Sequence, residues 1–456
     1  MRIIKKHRFF IFIFVFFCAV TVWLFSYQNK PRNFNVLLIS IDALRPDHLS
    51  CYGYKRNTSP NIDKLAKEGV LFTQAIAQSS HTPASMDAIL TSNMPNQHLL
   101  INWGEFLNPK LPTITKILKS KGYKTIFAGG NDNFQKGLRG FSEYFDVFYQ
   151  NPDSEIVTGQ TIEFINKECK GRPFFAWVHY MDVHGYKPSK PFDALFINDE
   201  WYDKQKELPI VKPVLDNYGF AGIPETLAKK SGYIKNPDYY IAQYDGAISA
   251  VDQEIGRLVK NLKDSHLDEK TIIIITADHG EMLGEHNYYF HHGWFLYEPL
   301  INVPLIIKFE KNIPAKNMVS TQVSAHLDIA PTILDLLRIS IPKPIKGVSL
   351  LGIISHKKKY PRPYIFSDEG YNVKCIRGSG WKLIYNNPYN TKLYELYNLK
   401  KDDREQNNLV SREKKIFLFL KRKLDEYKQV NNKDNKTKPL LDEQTKEGLR
   451  ALGYLQ

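Results

Sequence analysis

The sequence contains few cysteines, and their placement excludes two common uses of this residue. Four cysteines occur in 456 residues, and Cys18 lies inside an apolar segment near the N-terminus. The others, Cys51, Cys169 and Cys375, form an odd set and make no CxxC pair. The sequence therefore predicts neither a disulfide framework nor a thiolate zinc site.

Internal repeats, low-complexity segments and long blocks of one charge are also missing. Apolar residues make up 43% of the chain and charged residues 24%, which is the composition of a globular protein. The formal net charge is +14, but the basic residues are scattered, with lysine-rich pieces mainly at 357–359 and 400–437. This pattern argues against nucleic acid as a partner and favours a basic surface that faces anionic lipid or an anionic substrate.

The N-terminal segment has the pattern of a membrane-insertion signal. Basic residues within positions 1–8 precede an apolar run at 9–26, which lacks an obvious small-residue cleavage site. The sequence predicts an uncleaved single-pass anchor at 9–26, with residues 1–8 in the cytoplasm, a linker at 27–34 and the remainder outside the cell membrane. Cleavage of this segment, which would give a secreted form, is the alternative.

Short runs rich in β-branched and apolar residues alternate with stretches of helical periodicity. Such runs occur at 34–41, 173–179, 271–277 and 303–309, and the first is expected to be a central parallel strand. Helical patterns occur between them at 59–68, 111–121 and 239–262. This alternation predicts an α/β fold in which a mostly parallel sheet is sandwiched by helices.

The pattern changes near residue 346. A stretch that contains proline and lysine leads to short strands at 381–385 and 393–399 and to a charged helix at 413–430. The sequence therefore predicts a large domain at 35–345 and a smaller C-terminal α+β subdomain at 346–456.

Acidic and imidazole side chains follow the predicted strands. Asp42 comes after the first strand, His179 and His184 lie around the end of the second, and Asp278 and His279 follow the third. In open α/β sheets, ligands bind at the carboxyl ends of the strands. Asp278 and His279 can both reach one cation when a turn reorients them. Taken alone, however, either aspartate is equally typical of a helix cap or a turn.

Several long segments, in order from about residue 35 to the C-terminus, resemble the sulfatase family of the alkaline phosphatase superfamily. The segments include NVLLISIDALRPDHLSCYGY, SSHTPASMDAILTS, AWVHYMDVHGYKPSKPF, ITADHGEMLGEH, HHGWFLYEPLINVPLIIK and AHLDIAPTILDLL. The resemblance implies an alkaline-phosphatase-like fold and the hydrolysis of sulfate or related esters by a metal-dependent site.

The resemblance also implies roles for individual residues. It gives Asp42, Thr82, Asp278 and His279 as ligands of one divalent metal ion, with Thr82 also the nucleophile. The substrate-binding residues would be His179, His184 and His292, of which His184 and His292 are further catalytic candidates. A hydroxyl group becomes a good nucleophile when a cation lowers its pKa, and a histidine suits proton transfer to a leaving group. The oxygen-rich ligand set fits calcium, manganese or magnesium, and zinc is possible.

The sequence departs from the family's usual pattern at three places. Thr82 stands where most sulfatases have the cysteine that is oxidised to formylglycine, and Met86 stands where they have a supporting arginine. Ala43 takes the place of a second aspartate, and the pair Asp278-His279 takes a place often held by Asp-Asn. A sulfated threonine cannot expel sulfate by elimination, as a sulfated formylglycine hydrate can, so these changes favour phosphoester chemistry.

Three functions are compatible with this sequence. The leading one is a sulfatase-like hydrolase of sulfate, phosphate or phosphonate esters, with a free anionic ester or one linked to a glycan or lipid as its substrate. The second is an envelope transferase that passes a phosphoryl-linked group from Thr82 to a glycan or lipid. The third is a binding protein that has kept the fold and lost catalysis. The sequence carries no signal for the natural substrate or the oligomeric state.

Overall fold

The computed structural model describes residues 32–98, 107–130, 140–212, 221–309, 317–369, 373–386 and 393–432. The strands are β1 Asn35–Ile41, β2 Val70–Ile76, β3 Lys124–Gly129, β4 Val147–Tyr149, β5 Phe174–Tyr180, β6 Ile210–Val211, β7 Ile223–Pro224, β8 Thr271–Ala277, β9 Met282–Leu283, β10 Tyr289–His291, β11 Asn302–Lys308, β12 Asn317–Val319, β13 Val323–Ser324, β14 Ile365–Glu369, β15 Val373–Gly378, β16 Trp381–Asn386 and β17 Leu393–Asn398. The α-helices are α1 Pro60–Glu68, α2 Thr82–Thr91, α3 Pro95–His98, α4 Ile114–Lys119, α5 Ser154–Glu168, α6 Asp182–Gly185, α7 Glu225–Lys230, α8 Pro237–Asp264, α9 Glu298–Ile301, α10 Ala325–Leu336, α11 Leu351–Ile354 and α12 Lys414–Asn432.

The described residues form one large mixed sheet. Its nine strands have the order β12-β2-β11-β8-β1-β5-β3-β4, and β13 pairs with β2. The pairs β1·β8, β1·β5 and β3·β5 are parallel, whereas β11 runs antiparallel to both of its neighbours. The sheet is therefore mostly parallel, and the predicted central position of the first strand is confirmed.

The central strands are apolar because both faces of the sheet are covered. Every residue of β1, β5 and β8 is buried, including four consecutive isoleucines in β8. Helix α8 contacts α1 and α5, while α10 contacts α2, so the helices form two separate packed groups. Two helical layers leave no solvated strand face, which is why these strands lack the alternation of polar and apolar residues.

A smaller antiparallel sheet lies in the C-terminal part of the chain. Its order is β14-β15-β16-β17, and α12 packs against β15 and β16. Buried residues of this layer include Ile376, Leu383, Leu420 and Leu424. The predicted α+β character of this part and the predicted alkaline-phosphatase-like α/β class are both confirmed, while the domain boundary at 345 stays a prediction.

The predicted membrane anchor and membrane localisation are corrected here. Spanning a bilayer requires a helix of about 20 predominantly apolar residues. Across the described ranges, no helix is both long enough and apolar enough for such a span. The segment 9–26, on which the prediction rested, lies outside the described residues.

Candidate active site

Three neighbouring strands bring the predicted site residues to one edge of the sheet. In the registers of the central strands, Ile41 lies opposite Ala277 and Ser40 lies opposite His179. Asp42 and Asp278, each one residue further on, consequently leave the sheet side by side. This edge is the carboxyl end of parallel strands, where ligands of α/β proteins bind.

Two carboxylates and two imidazoles meet in the buried centre of this edge. Ligand atoms of Asp42, His179 and Asp278 all lie within 4.8 Å of one another. The Nε2 atom of His279 lies 3.6 Å from Asp42 Oδ1 and 3.5 Å from Asp278 Oδ2. Neither of these carboxylate oxygens has a hydrogen-bond partner among the described residues, although both are buried. Buried carboxylates without partners are costly, and a divalent cation would satisfy both, so this group fits a metal ion.

The ring of His279 is oriented by its own chain. Its Nδ1 atom lies 2.8 Å from the carbonyl oxygen of Gly280. A carbonyl only accepts, so Nδ1 donates, and in the neutral form of the ring the lone pair lies on Nε2, which faces the two carboxylates. A lone pair facing two anionic oxygens is the arrangement expected of a metal ligand.

His179 has a different hydrogen-bond environment. The indole Nε1 of Trp177 donates to Ser40 Oγ over 2.8 Å, and Ser40 Oγ lies 2.9 Å from His179 Nδ1. Because the indole can only donate, the hydroxyl proton of Ser40 is available to His179 Nδ1. The ring then carries its proton on Nε2, which lies 3.7 Å from Asp42 Oδ2. This tautomer fits support of the Asp42 carboxylate better than it fits direct coordination.

Thr82 enters the site from the first turn of α2. It is the first residue of that helix, and Pro83, which follows, favours a helix start. Thr82 Oγ1 lies 3.1 Å from His279 Nε2, and only 4% of the residue is exposed. The partial positive charge at the start of a helix also favours anionic groups here.

His184 and His292 lie next to His279. The ring centroid of His292 lies 4.3 Å from that of His279 and 5.0 Å from that of His184. The structure thus brings all seven predicted site residues into one cluster, made of Asp42, Thr82, His179, His184, Asp278, His279 and His292.

The charges in this cluster are set by neighbouring groups. Burial acts to lower the pKa of His292, but Glu281, whose Oε2 lies 3.2 Å from His292 Nδ1, raises that pKa to about 9. Burial lowers the pKa of His184, against the opposing effect of Asp42. Burial acts to raise the pKa of Asp42, but the imidazoles around it, led by His184, bring that pKa below its usual value. At neutral pH the site therefore contains ionised Asp42 and a cationic His292.

Ala43, which departs from the usual family pattern, and Gly280 have backbone roles in the structure. Ala43 has a φ of +60°, and its N–H donates to Asp278 Oδ1 over 3.2 Å. A Cβ atom on Gly280 would lie 1.9 Å from the carbonyl oxygen of Pro299, so only glycine permits this close approach. The backbone around the carboxylates is thus fitted tightly to the turn that presents Asp278 and His279.

Sequence reasoning missed three supporting residues. Glu281 lies two residues after His279 and was visible within the motif, but its contact with His292 was not. Ser40 was read only as part of a buried strand. Glu369 accepts hydrogen bonds from Ser79 Oγ and from the backbone N–H of Ser80 over 2.6 and 2.9 Å, and nothing in the sequence signals that contact, because 289 residues separate Glu369 from Ser80.

Two family models match the chain. The model described as Sulfatase matches residues 34–339, and the model described as N-sulphoglucosamine sulphohydrolase, C-terminal, matches residues 284–430. The first match includes every residue of the cluster described above.

Curated relatives match over most of their length. An N-acetylglucosamine-6-O-sulfatase of Bacteroides thetaiotaomicron is 24% identical, over 90% of this chain and 89% of the relative. Arylsulfatase K of Bos taurus is 31% identical, over 87% of this chain and 82% of the relative.

Solved structures share the fold. A protein in complex with its substrate D-glucosamine-2-N,6-O-disulfate superposes with a TM-score of 0.70 at 23% identity, covering 89% of this chain and 99% of the other. A phosphonate monoester hydrolase of Agrobacterium radiobacter gives a TM-score of 0.71 at 19% identity, covering 88% of this chain and 96% of the other. At sequence identities of 23% and 19%, these two structures show a shared fold and nothing more.

Proposed function

Because the chain belongs to the sulfatase family of ester hydrolases, we propose that it cleaves sulfate or related phosphate and phosphonate esters with Thr82 as a metal-activated nucleophile. One observation carries the proposal. The Nε2 atom of His279 lies 3.1 Å from Thr82 Oγ1 and within 3.6 Å of oxygens from both Asp42 and Asp278. One cation at this position would bind the Thr82 hydroxyl, the two buried carboxylates and the His279 imidazole. The same cation would activate the hydroxyl as a nucleophile.

Asp42, Thr82, Asp278 and His279 are the residues proposed to hold one divalent metal ion. When bound, the ion would lower the pKa of the Thr82 hydroxyl and offset the charge of the ester oxygens. Three oxygen donors and one imidazole suit calcium, manganese or magnesium, with zinc as a further candidate. In this proposal His179 steadies Asp42 through its Nε2 proton and contacts the ester oxygens.

The remaining residues handle charge and protons. Thr82 Oγ1 attacks the sulfur or phosphorus atom and releases its proton to water, while the bond to the alcohol oxygen breaks and that oxygen takes up a proton. His292, which is cationic at neutral pH, binds the ester oxygens or gives a proton to that leaving oxygen, and His184 is the second candidate donor. Water then attacks the same sulfur or phosphorus atom, releases the acid and restores the Thr82 hydroxyl.

A threonine nucleophile at position 82 limits which classes of ester the site would hydrolyse. A sulfated Thr82 can be released only by attack at sulfur, because its carbon carries no second hydroxyl that could expel sulfate. This requirement favours phosphate or phosphonate esters over simple sulfate esters. Relatives named as sulfatases of N-acetylglucosamine and hexuronate support an anionic sugar derivative as the alcohol part.

The test combines substitution with trapping of the covalent intermediate. We expect Thr82→Ala and Asp278→Asn to abolish turnover of aryl sulfate, phosphate diester and phosphonate monoester substrates while thermal unfolding stays cooperative. Mass spectrometry of quenched wild-type reactions should find the sulfuryl or phosphoryl group on Thr82. A matched control is Thr91→Ala at the other end of α2, whose hydroxyl only donates to the carbonyl of Asp87.

Three outcomes would contradict the proposal. Normal rates in the Thr82→Ala protein would remove the nucleophile from the mechanism. Transfer of the group to an added alcohol in preference to water would identify a transferase. A metal-loaded wild-type protein that forms no adduct with any of the three substrate classes would indicate a binding protein.

A further inference from the structure

A large basic cavity lies where the C-terminal sheet meets the edge of the main sheet. Its volume is about 1020 Å³, and it is bounded by Gln74 of β2, residues 320–322, residues 356–363 and the turn between β15 and β16. Lys357, Lys358, Lys359 and Lys400 line it, and we call it the lysine pocket. None of the proposed catalytic or metal-binding residues belongs to its lining.

The charge in the lysine pocket is uncompensated. All four lysines are exposed, and none forms an ion pair with the residues that the structure describes. No aspartate or glutamate occurs in the described lining. Cations of one sign on a concave surface raise the local concentration of anions.

Two arginines, Arg362 and Arg377, also line the lysine pocket. Arg362 lies 3.6 Å from the buried carboxylate of Asp328, and Arg377 lies 3.0 Å from Glu298. Their charges are therefore neutralised within the protein. The four lysines are the cations left for a ligand.

The stems of two lysines are packed against glycines. The side chain of Lys358 lies beside Gly352, and that of Lys400 lies over Gly380, where a Cβ atom would come within 2.7 Å of Lys400 Cε. A lysine whose aliphatic stem is packed has fewer rotamers available before it binds. It therefore loses less conformational entropy when its ammonium group binds an anion. The lysines are thus partly ordered for binding.

The position of the lysine pocket relates it to the active site. β2 lies three strands from β1 in the sheet, which corresponds to about 14 Å. When the strand pairing is followed from β8 through β11 to β2, Asp278 lies at the same height along the strands as Ala75, which is next to Gln74. A linear polymer of a few sugar units can therefore span the distance between the two sites.

We propose that the lysine pocket binds an anionic segment of a polysaccharide, a sulfated or phosphorylated one, whose ester is cleaved at the active site. This inference rests on the proposed function and names its substrate class, a polyanionic glycan. A concave shape with polar lining favours a glycan over a membrane surface, since none of the large exposed apolar side chains borders the pocket.

The test measures binding and catalysis separately. Affinity for dextran sulfate, with uncharged dextran as the blank, is compared between wild type and the triple variant Lys357→Glu, Lys358→Glu, Lys359→Glu. A matched control carries the same charge change at exposed lysines outside the pocket, as Lys229→Glu, Lys230→Glu, Lys235→Glu. We expect the pocket variant to bind at least about tenfold more weakly, the control to change less than about twofold, and added salt to reduce this difference.

Turnover of a small aryl ester should be equal in the wild type, the pocket variant and the control, because that substrate does not reach the lysines. Lys400→Gln, a milder change on another element, should also weaken dextran sulfate binding. Equal losses in the pocket variant and the control would overturn the inference, as would preferential binding to vesicles of phosphatidylglycerol.

The two proposals fail separately. Thr82→Ala should bind dextran sulfate as wild type does, whether or not catalysis occurs. If wild type turns over no ester while the pocket variant still loses binding, the proposed function fails and the polyanion site stands. If aryl esters are cleaved and dextran sulfate binding is unaffected by the lysines, only the lysine pocket is refuted.

Discussion

His292 depends on one neighbour for its positive charge. Burial alone would favour the neutral ring, and Glu281, itself only 2% exposed, reverses that preference. The histidine in turn lowers the pKa of Glu281 against the effect of burial. The two side chains therefore act as a pair in which the carboxylate keeps a proton on the ring of His292.

We expect Glu281→Gln to move the alkaline limit of activity to lower pH. His292 holds its proton up to a pKa of about 9, above the ordinary 6.5, so its cationic form is lost as pH rises through that value. Without the Glu281 charge, this loss should occur at least about one pH unit earlier. The measurement is kcat/KM for an aryl ester across the pH range.

Glu285→Gln provides the control for that experiment. Glu285 is close in the chain but pairs with Arg45, with the two groups 2.7 Å apart, and makes no described contact with His292. An alkaline limit that stays in place in Glu281→Gln, or that moves equally in both variants, would show that the Glu281 contact does not control His292.

At the scale of residues, sequence reasoning predicted side chains that the structure brings together, but not the residues that orient them. Asp42, Asp278 and His279 follow buried strands directly, so their shared edge could be expected from strand order. The tautomers of His179 and His279 depend on Ser40 and on the carbonyl of Gly280, and such contacts have no signature in composition or spacing.

At the scale of elements, the strands buried on both faces were predictable. β8 was predicted at 271–277 and is found at Thr271–Ala277, because a run of isoleucines has no polar position that could face solvent. β2 was not predicted as a separate strand. Thr73 and Gln74, which are partly exposed, interrupt its apolar run near the edge of the sheet.

Strand β14 makes hydrogen bonds to the segment that leads to Thr82. Ser367 Oγ donates to the carbonyl of Ala77 over 2.6 Å, and the N–H of Asp368 donates to the carbonyl of Gln78 over 2.8 Å. Glu369 then accepts from Ser79 and Ser80. The C-terminal sheet thus holds the segment before α2 through three successive residues.

We expect Glu369→Gln to remove a pH dependence of stability. Burial raises the pKa of Glu369 to about 7, so between its ordinary 4.5 and about 7 the folded protein keeps a proton that the unfolded chain releases. Stability from this group is complete below 4.5 and is lost as pH rises through 7, by roughly 2 to 3 kcal/mol. Glutamine keeps an acceptor for the Ser80 N–H and has no charge to bury.

The measurement is the free energy of unfolding of both proteins by denaturant across this pH interval. The variant should gain stability relative to wild type as pH rises. A constant difference between the two would mean that the Glu369 carboxyl titrates alike in the folded and unfolded chains.

At the scale of the whole molecule, buried charges join the two sheets. Glu298 of α9 accepts from Arg377 of β15 and Lys382 of β16 over 3.0 and 3.1 Å. Lys382 also lies 2.8 Å from Glu405 and is fully buried. Removing one of these residues would leave the others as buried charges without an ion-pair partner. We therefore expect the C-terminal sheet to fold together with the main sheet.

Removal of metal should lower both activity and global stability. Asp42 and Asp278 then face one another as buried anions, whereas a bound ion at 100 times its dissociation constant would contribute about 2.7 kcal/mol to folding. Dialysis against a chelator should abolish turnover and lower Tm, and calcium, manganese, magnesium or zinc added singly should restore both. Asp278→Asn is the control, since its Tm should respond less to the ion. An unchanged Tm and full activity in chelator would contradict the proposed centre.

The hydrogen bonds between β14 and the segment before Thr82 join residues about 290 positions apart. During synthesis, the ribosome must therefore release most of the chain before the turn at Thr82 gains its supporting strand. We expect a nascent chain to remain catalytically silent until then, which confines ester cleavage to finished molecules and makes this late docking step the point at which folding fails when the C-terminal sheet is damaged.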